Sequence, residues 1–167
     1  LAGARITGAE ALELYRHGDF LKVMAAAREI RRRKNDPKVV TYTMFRVVNY
    51  TTFCNVDCSF CSYYEPIGSS RGVTLSVGEV VEKMREAIAI GANQMFLQGG
   101  VNPELPFDYY LSVIRTVKET FGAGIHIRAF SPVELLGMEQ STGLPLRRIL
   151  RELKSAGMDS VPGAGAE

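Results

Sequence analysis

The sequence predicts an α/β chain: about the first four strands of a (β/α) barrel of the TIM type, preceded by two N-terminal helices. Three observations carry that expectation. Strand-like apolar runs alternate with amphipathic segments four times after residue 38, the last helix missing, and such alternation forces parallel strands joined by crossovers. Polar or glycine-rich residues follow each strand, at 54–61, 98–100, Ser131 and 163–167, on the face where such barrels build active sites. No G-x-G-x-x-G follows the first strand, which disfavours the alternative, a three-layer Rossmann-like sheet.

The elements follow in order. Thr7 and Glu10 fit a capping box that opens a short helix to His17, ended by Gly18. Asp19 can cap a second helix, on which Phe20, Val23, Met24, Ala27 and Ile30 recur at i, i+3 and i+4. Its end, Arg31, Arg32, Arg33 and Lys34, reads as a phosphate site or as cations complementing the helix dipole, with the second reading favoured. Asn35, Asp36 and Pro37 stop it. Residues 39–50 are rich in β-formers and give the first strand, and the cysteine-bearing loop leaves its end. Ser76 and Glu79 repeat the capping box before a helix that runs to Gly91. Residues 94–98, QMFLQ, form a short buried strand, and a helix is expected over 107–121 with Phe107, Tyr110, Leu111, Ile114 and Val117 inside. The third strand covers 124–130. Ser131 to Glu134 form a third box with Pro132 at the first helical position. A break at 141–143, a helix over 145–156 stopped by Gly157, and a fourth strand at 158–161 complete the chain. Residues 1–37 are thus an N-terminal helical segment, and 38–167 the N-terminal half of a barrel. Leu1 at the start, and a glycine-rich turn just before Glu167, lead to the expectation that both ends belong to a longer protein.

Twenty basic against 18 acidic residues leave a formal charge of +2, too little to create a strong field for nucleic acid or an anionic membrane. No apolar run reaches the roughly 18 residues of a membrane span, and no secretory leader pattern opens the chain. A cytoplasmic protein acting on small molecules is expected, with neither nucleic acid nor membrane as partner.

All three cysteines, Cys54, Cys58 and Cys61, lie in the stretch NYTTFCNVDCSFCSYY, at spacing C-x3-C-x2-C. A structural disulfide would leave one over and suits a secreted chain. Zinc needs a fourth ligand, or three and water, and the only histidines, His17 and His126, lie in a helix end and a strand. Three thiolates on a short loop suit an iron–sulfur centre with one open position.

With Phe60 before the last cysteine, the loop resembles the C-x3-C-x-Φ-C hallmark of the radical S-adenosylmethionine (SAM) superfamily, Φ being aromatic. The resemblance implies that Cys54, Cys58 and Cys61 hold a 4Fe–4S cluster whose fourth iron takes the amino and carboxylate groups of SAM. It implies that Phe60 packs beside the cluster and that backbone near Tyr63 meets the adenine. Gln98, Gly99 and Gly100 stand where the family places a "GGE" segment that binds the SAM amino group through backbone carbonyls, with Val101 in place of Glu. Glu167 would accept the ribose hydroxyls of SAM, or else merely sit in the first turn of a helix. Ser131 reads as a substrate contact or an N-cap. His126 reads as a satisfied core or lumen histidine. Arg128, in the same register, would pair with a carboxylate of SAM or substrate, or with a buried acid.

The stretches FLQGGVNPELPFDYY, IRAFSPVE and MDSVPGAGAE further resemble the menaquinone- and deazaflavin-pathway branch: dehypoxanthine futalosine cyclase, aminofutalosine synthase and the deazaflavin (FO) synthase subunits. Tyr63-Tyr64, NPELPFDYY and GLPLRRIL place the resemblance nearest the cyclases. It implies one-electron cleavage of SAM to methionine and a 5′-deoxyadenosyl radical, with an electron donor such as flavodoxin or ferredoxin. The radical would take a ribose hydrogen from a nucleoside-like substrate, which then closes onto its aromatic ring. The competing classes are a non-catalytic iron–sulfur protein and an inactive barrel fragment.

Overall fold

The computed structural model describes residues 3–163. The chain divides into two compact units, Leu1–Tyr42 and Thr43–Glu167. In the first, α1 (Gly8–His17) starts at a complete Thr7/Glu10 capping box and α2 (Phe20–Lys34) at Asp19, whose carboxylate accepts from the Lys22 N–H. Neither helix has a buried residue. Of the basic run, Arg33 pairs with Glu29 at 3.0 Å and Arg31 donates to the Val39 carbonyl at 3.2 Å.

In the second unit, β1 (Phe45–Val48), β2 (Gln94–Leu97) and β3 (His126–Ala129) form a parallel sheet in that order. Phe45, Gln94 and His126 share one rung, and Val48, Leu97 and Ala129 another. The crossovers contain α3 (Val77–Ala89) and α4 (Phe107–Phe121), and α5 (Pro132–Thr142) and α6 (Leu146–Ala156) follow β3. Because side chains alternate along a strand, Val48, Met95, Leu97, Ile127 and Ala129 point one way, into a core shared with Met84, Ile114, Val117, Ile149 and Leu153. Each of those helices offers an apolar stripe at helical spacing, as the periodicity predicts. The opposite sheet face, the lumen side of a barrel, carries Phe45 and Val47, about half exposed, and Phe96 with the Arg128 guanidinium stacked 4.9 Å above its ring.

All four expected strands are shorter than the sequence suggested, the first and fourth most of all. Residues 39–44 do not extend β1, which begins at Phe45; Val40 and Tyr42 are exposed. The fourth strand shrinks to a single parallel bridge between Arg128 and Ser160. Ser160 N–H donates to Ile127 O and Ala129 N–H to Ser160 O, so the next rung would need an N–H at position 162, where Pro162 has none.

The chain leaves β3 through Phe130, which at φ 57 is the one non-glycine residue with positive φ among those described. Its ring is fully buried, edge-on to Tyr50 at 5.8 Å and Tyr110 at 5.3 Å. This turn sends Ser131 and α5 back toward the ends of β1 and β2.

Candidate active site

Beyond β1 the chain stays clamped. Leu75 N–H donates to Tyr50 O, Thr52 N–H to Val73 O and Cys54 N–H to Glu65 O, so segment 65–75 returns alongside the cysteine loop and braces it. On its other side the loop is gripped by the turn after β2: Asn55 N–H donates to Val101 O at 2.9 Å, and Val101 N–H to Cys54 Sγ at 3.2 Å. Val56 N–H donates to the same sulfur at 3.3 Å. Two backbone donors on one sulfur suit a thiolate ligand, since hydrogen bonds to cluster sulfurs set reduction potential.

The two glycines of that turn are there because backbone passes close. A Cβ at Gly99 would lie 2.8 Å from the Tyr50 ring, and one at Gly100 only 2.2 Å from Phe53 O and 2.9 Å from Cys54 Cβ. Only glycine lets the β2 loop lie this near the cysteine loop.

Between the loops lies a cleft of about 370 Å³ whose lining brings together Cys54, Cys58, Cys61, Phe60, Tyr63, Gln98, Gly99, Gly100 and Ser131. No disulfide joins the cysteines. Among the described residues no three His, Cys, Asp or Glu side chains converge on a point able to hold a single ion. A cluster asks for something else, separate thiolates on separate irons around an open cavity, and all three cysteines line this cleft. Phe60 and Tyr63 are about two-thirds exposed, at the cleft's open edge. Arg128 is not in the lining; it lies on the open sheet face over Phe96. His126 is exposed there rather than enclosed, its Nε2 2.8 Å from Ser160 Oγ. Glu167 lies outside the described residues. Ser131 accepts from the Glu134 N–H and caps α5 while also facing the cleft.

The one carboxylate among the described residues of the cleft's lining is absent from the sequence-based candidates. Glu134 is 3% exposed, and its carboxylate accepts from Tyr50 OH at 2.7 Å, Gly99 N–H at 3.0 Å and Ser131 N–H at 2.7 Å. Burial pushes its carboxyl above the ordinary value, against the opposing pull of the Ser131, Tyr50 and Gly99 donors. Burial, and next the Glu134 charge, push the Tyr50 phenol well up. The sequence signal was present but ambiguous: S-x-x-E after a strand reads as a cap.

The profile of the radical SAM superfamily matches residues 48–164, the stretch that contains all of this cleft's lining except Val47. The chain belongs to the radical SAM superfamily. Its curated relatives include the cyclic dehypoxanthine futalosine synthase of Halalkalibacterium halodurans, 36% identical over 99% of this chain and 44% of that protein. They also include an FO synthase of Streptomyces coelicolor, 36% identical over 98% of this chain and 19% of that protein. The aminodeoxyfutalosine synthase of Thermus thermophilus is 34% identical over 100% and 44%. The chain therefore spans less than half the length of these relatives. Among solved structures, methylornithine synthase (PylB) superposes with a TM-score of 0.57 at 18% identity, over 96% of this chain and 56% of that one. The FeFe-hydrogenase maturase HydG gives 0.59 at 16%, over 95% and 43%. At such identities the likeness speaks for the fold, a partial radical SAM β/α barrel. Membership implies a 4Fe–4S cluster and SAM, and the thiol wall with its glycine-floored cleft fits both. No described helix is long and apolar enough to cross a membrane.

Proposed function

We propose that the chain carries the cofactor-binding part of a radical SAM enzyme that cyclises dehypoxanthine futalosine in menaquinone biosynthesis. The observation that carries this reading is that the superfamily match and the cleft coincide, with the three cysteines on one wall and Gln98–Gly99–Gly100 on the other. Similarity to the cyclic dehypoxanthine futalosine synthase across nearly the whole chain favours the cyclase reaction. Comparable identity to FO synthase and aminodeoxyfutalosine synthase supports a second reading, one of those two reactions.

In this reading Cys54, Cys58 and Cys61 would hold the cluster. Bound there and given one electron by a flavodoxin or ferredoxin, the cluster would supply the chemistry of reductive SAM cleavage to methionine and a 5′-deoxyadenosyl radical. The chain's own residues bind and orient. Backbone carbonyls at 98–100 receive the ammonium group of SAM, Phe60 and Tyr63 form the open edge against cluster and adenine, and Glu167 takes ribose hydroxyls. Ser131 faces the cleft from the start of α5 and contacts substrate there. Arg128 offers a cation on the open sheet face for a carboxylate of SAM or substrate.

Anaerobic reconstitution with iron and sulfide, followed by iron counting and a SAM-cleavage assay, tests the reading. About four irons per chain are expected, with 5′-deoxyadenosine formed on reduction and both lost in Cys58→Ala. Iron without SAM cleavage would make this an electron-carrying or inactive protein, and a zinc stoichiometry would overturn the cofactor. Product analysis with dehypoxanthine futalosine decides among the three reactions.

A further inference from the structure

Among the described residues three helices open with a complete capping box, and one of the boxes is built unlike the others. At α1 and α3 the glutamates are exposed and spend one oxygen on the cap alone: Glu10 Oε2 accepts from Thr7 N–H and OH, and Glu79 Oε2 from Ser76 N–H and OH. At α5 Glu134 is buried, its Oε2 takes the Ser131 N–H, and its Oε1 turns away from the cap to accept from Tyr50 OH and Gly99 N–H. Those donors belong to three different places: the end of β1, the loop after β2 and the turn after β3. A cap needs none of that reach.

A second contact from the same helix meets the same loop. Gly137, three residues on and so on the same face of α5, leaves a notch that Val101 fills; a Cβ there would lie 2.2 Å from Val101 Cγ1. Val101 is the residue whose N–H and C=O grip Cys54 Sγ and Asn55 N–H. Thus α5 holds both ends of the turn 99–101, by a carboxylate at Gly99 and by shape at Val101. The far side of that turn touches the first cysteine.

We propose that Glu134 is a positioning residue that fixes the Gly99–Val101 turn against the cysteine loop, ordering the SAM-binding backbone and the Cys54 thiolate together. The proposal rests on the reading of this cleft as a SAM and cluster site. Glu134 acts through Gly99, Tyr50 and Val101 rather than on the reacting atoms. Val101 is a small apolar residue at the position the resemblance gives to an acid, and the only buried carboxylate among the described residues comes instead from α5.

The test uses the full-length protein, wild type and Glu134→Gln, which keeps the shape and removes the charge. Hydrogen exchange comes first, on the apo protein, with the amides of 99–101 resolved. In the wild type the Gly99 amide is expected to be protected although it lies in an open cleft. In Glu134→Gln exchange across 99–101 is expected to rise about tenfold or more, from the lost charged acceptor, while the core strands stay as in the wild type. Reconstituted holoprotein should then bind SAM about ten- to a hundredfold more weakly, with Glu134→Asp recovering part of the loss. Rapid exchange of Gly99 in the wild type overturns the proposal, and so does a folded Glu134→Gln whose 99–101 exchange and SAM affinity are unchanged. Should Glu134→Gln not fold, Tyr50→Phe removes one donor and keeps the aromatic cluster. Faster exchange across 99–101 and weaker SAM binding in that variant would then support the proposal, and no change in either would overturn it. A wild type that neither binds nor cleaves SAM would refute the functional reading, and the exchange comparison, made without cofactor, would still decide the role of Glu134.

Discussion

Helices α3 and α5 open with the same device, S-x-x-E at residues 76–79 and 131–134, yet one is a local cap and the other a joint between loops. At α3 the Glu79 carboxyl is held below its ordinary value by the Ser76 backbone N–H and then the Ser76 hydroxyl, with solvent around it. At α5 burial dominates and the carboxyl of Glu134 is raised. The difference is neighbourhood rather than sequence: the turn at Phe130 aims α5 at the ends of β1 and β2, whereas α3 starts after a long surface return. Identical local chemistry acquires a long-range task when the fold brings donors to its spare oxygen.

The largest separation between the two boxes is expected on truncation. Glu134→Ala orphans three donors at once and should lower the unfolding free energy by roughly 3 kcal/mol or more, whereas Ser76→Ala, a simple cap loss, should cost about 1 kcal/mol. Urea denaturation followed by circular dichroism reads both, and equal costs would erase the distinction.

A smaller contrast lies in the glycines of the two helices. Gly137→Ala pushes into the branched, buried side chain of Val101 and should destabilise by about 1–3 kcal/mol, with most of that relieved in a Val101→Ala background. Gly78, whose added Cβ meets nothing nearer than Ser76 Oγ at 4.0 Å, should accept Ala with no loss and a gain of up to about 1 kcal/mol. If the double variant shows no coupling, the notch is not the second anchor.

The smallest effect is the one of opposite sign. In a carbon-13 titration of labelled glutamates, Glu134 should titrate above its ordinary 4.5 and Glu79 below its own 4.5. Between 4.5 and the raised value the folded state binds the Glu134 proton more tightly than the unfolded chain. Its ionisation therefore opposes folding at higher pH and that penalty vanishes on acidification. For Glu79 the order reverses: its contribution is present above 4.5 and lost as pH falls through the lowered value. Titration of both on the same side would contradict the geometry.

Local signals made much of the fold legible. The caps at Thr7, Asp19, Ser76 and Ser131, and the 107–121 helix, follow from residues that act within one turn of themselves. What failed depended on partners. Residues 39–44 have strand propensity yet stay outside β1, and the fourth strand ends at one rung because Pro162 withholds the next donor. In the candidate site, three closely spaced cysteines and a Gly-Gly after a strand could be read directly. Glu134 could not, since S-x-x-E says nothing of burial. Arg128 was placed on the right strand, and its alternation with Ile127 sets it on the sheet face over Phe96, outside the cleft's lining.

Phe130 adds a consequence for how the sheet finds its alignment. A left-handed backbone at a phenylalanine costs about 1–2 kcal/mol that glycine would spare, and it is tolerated where the ring drops between Tyr50 and Tyr110. A slip of β3 by one residue would move that strained turn off the ring's socket and swap every inward side chain for an outward one. The misfit residue thus acts as an index pin: only one alignment of the third strand recovers its strain, and that alignment delivers Ser131 and Glu134 to the cleft.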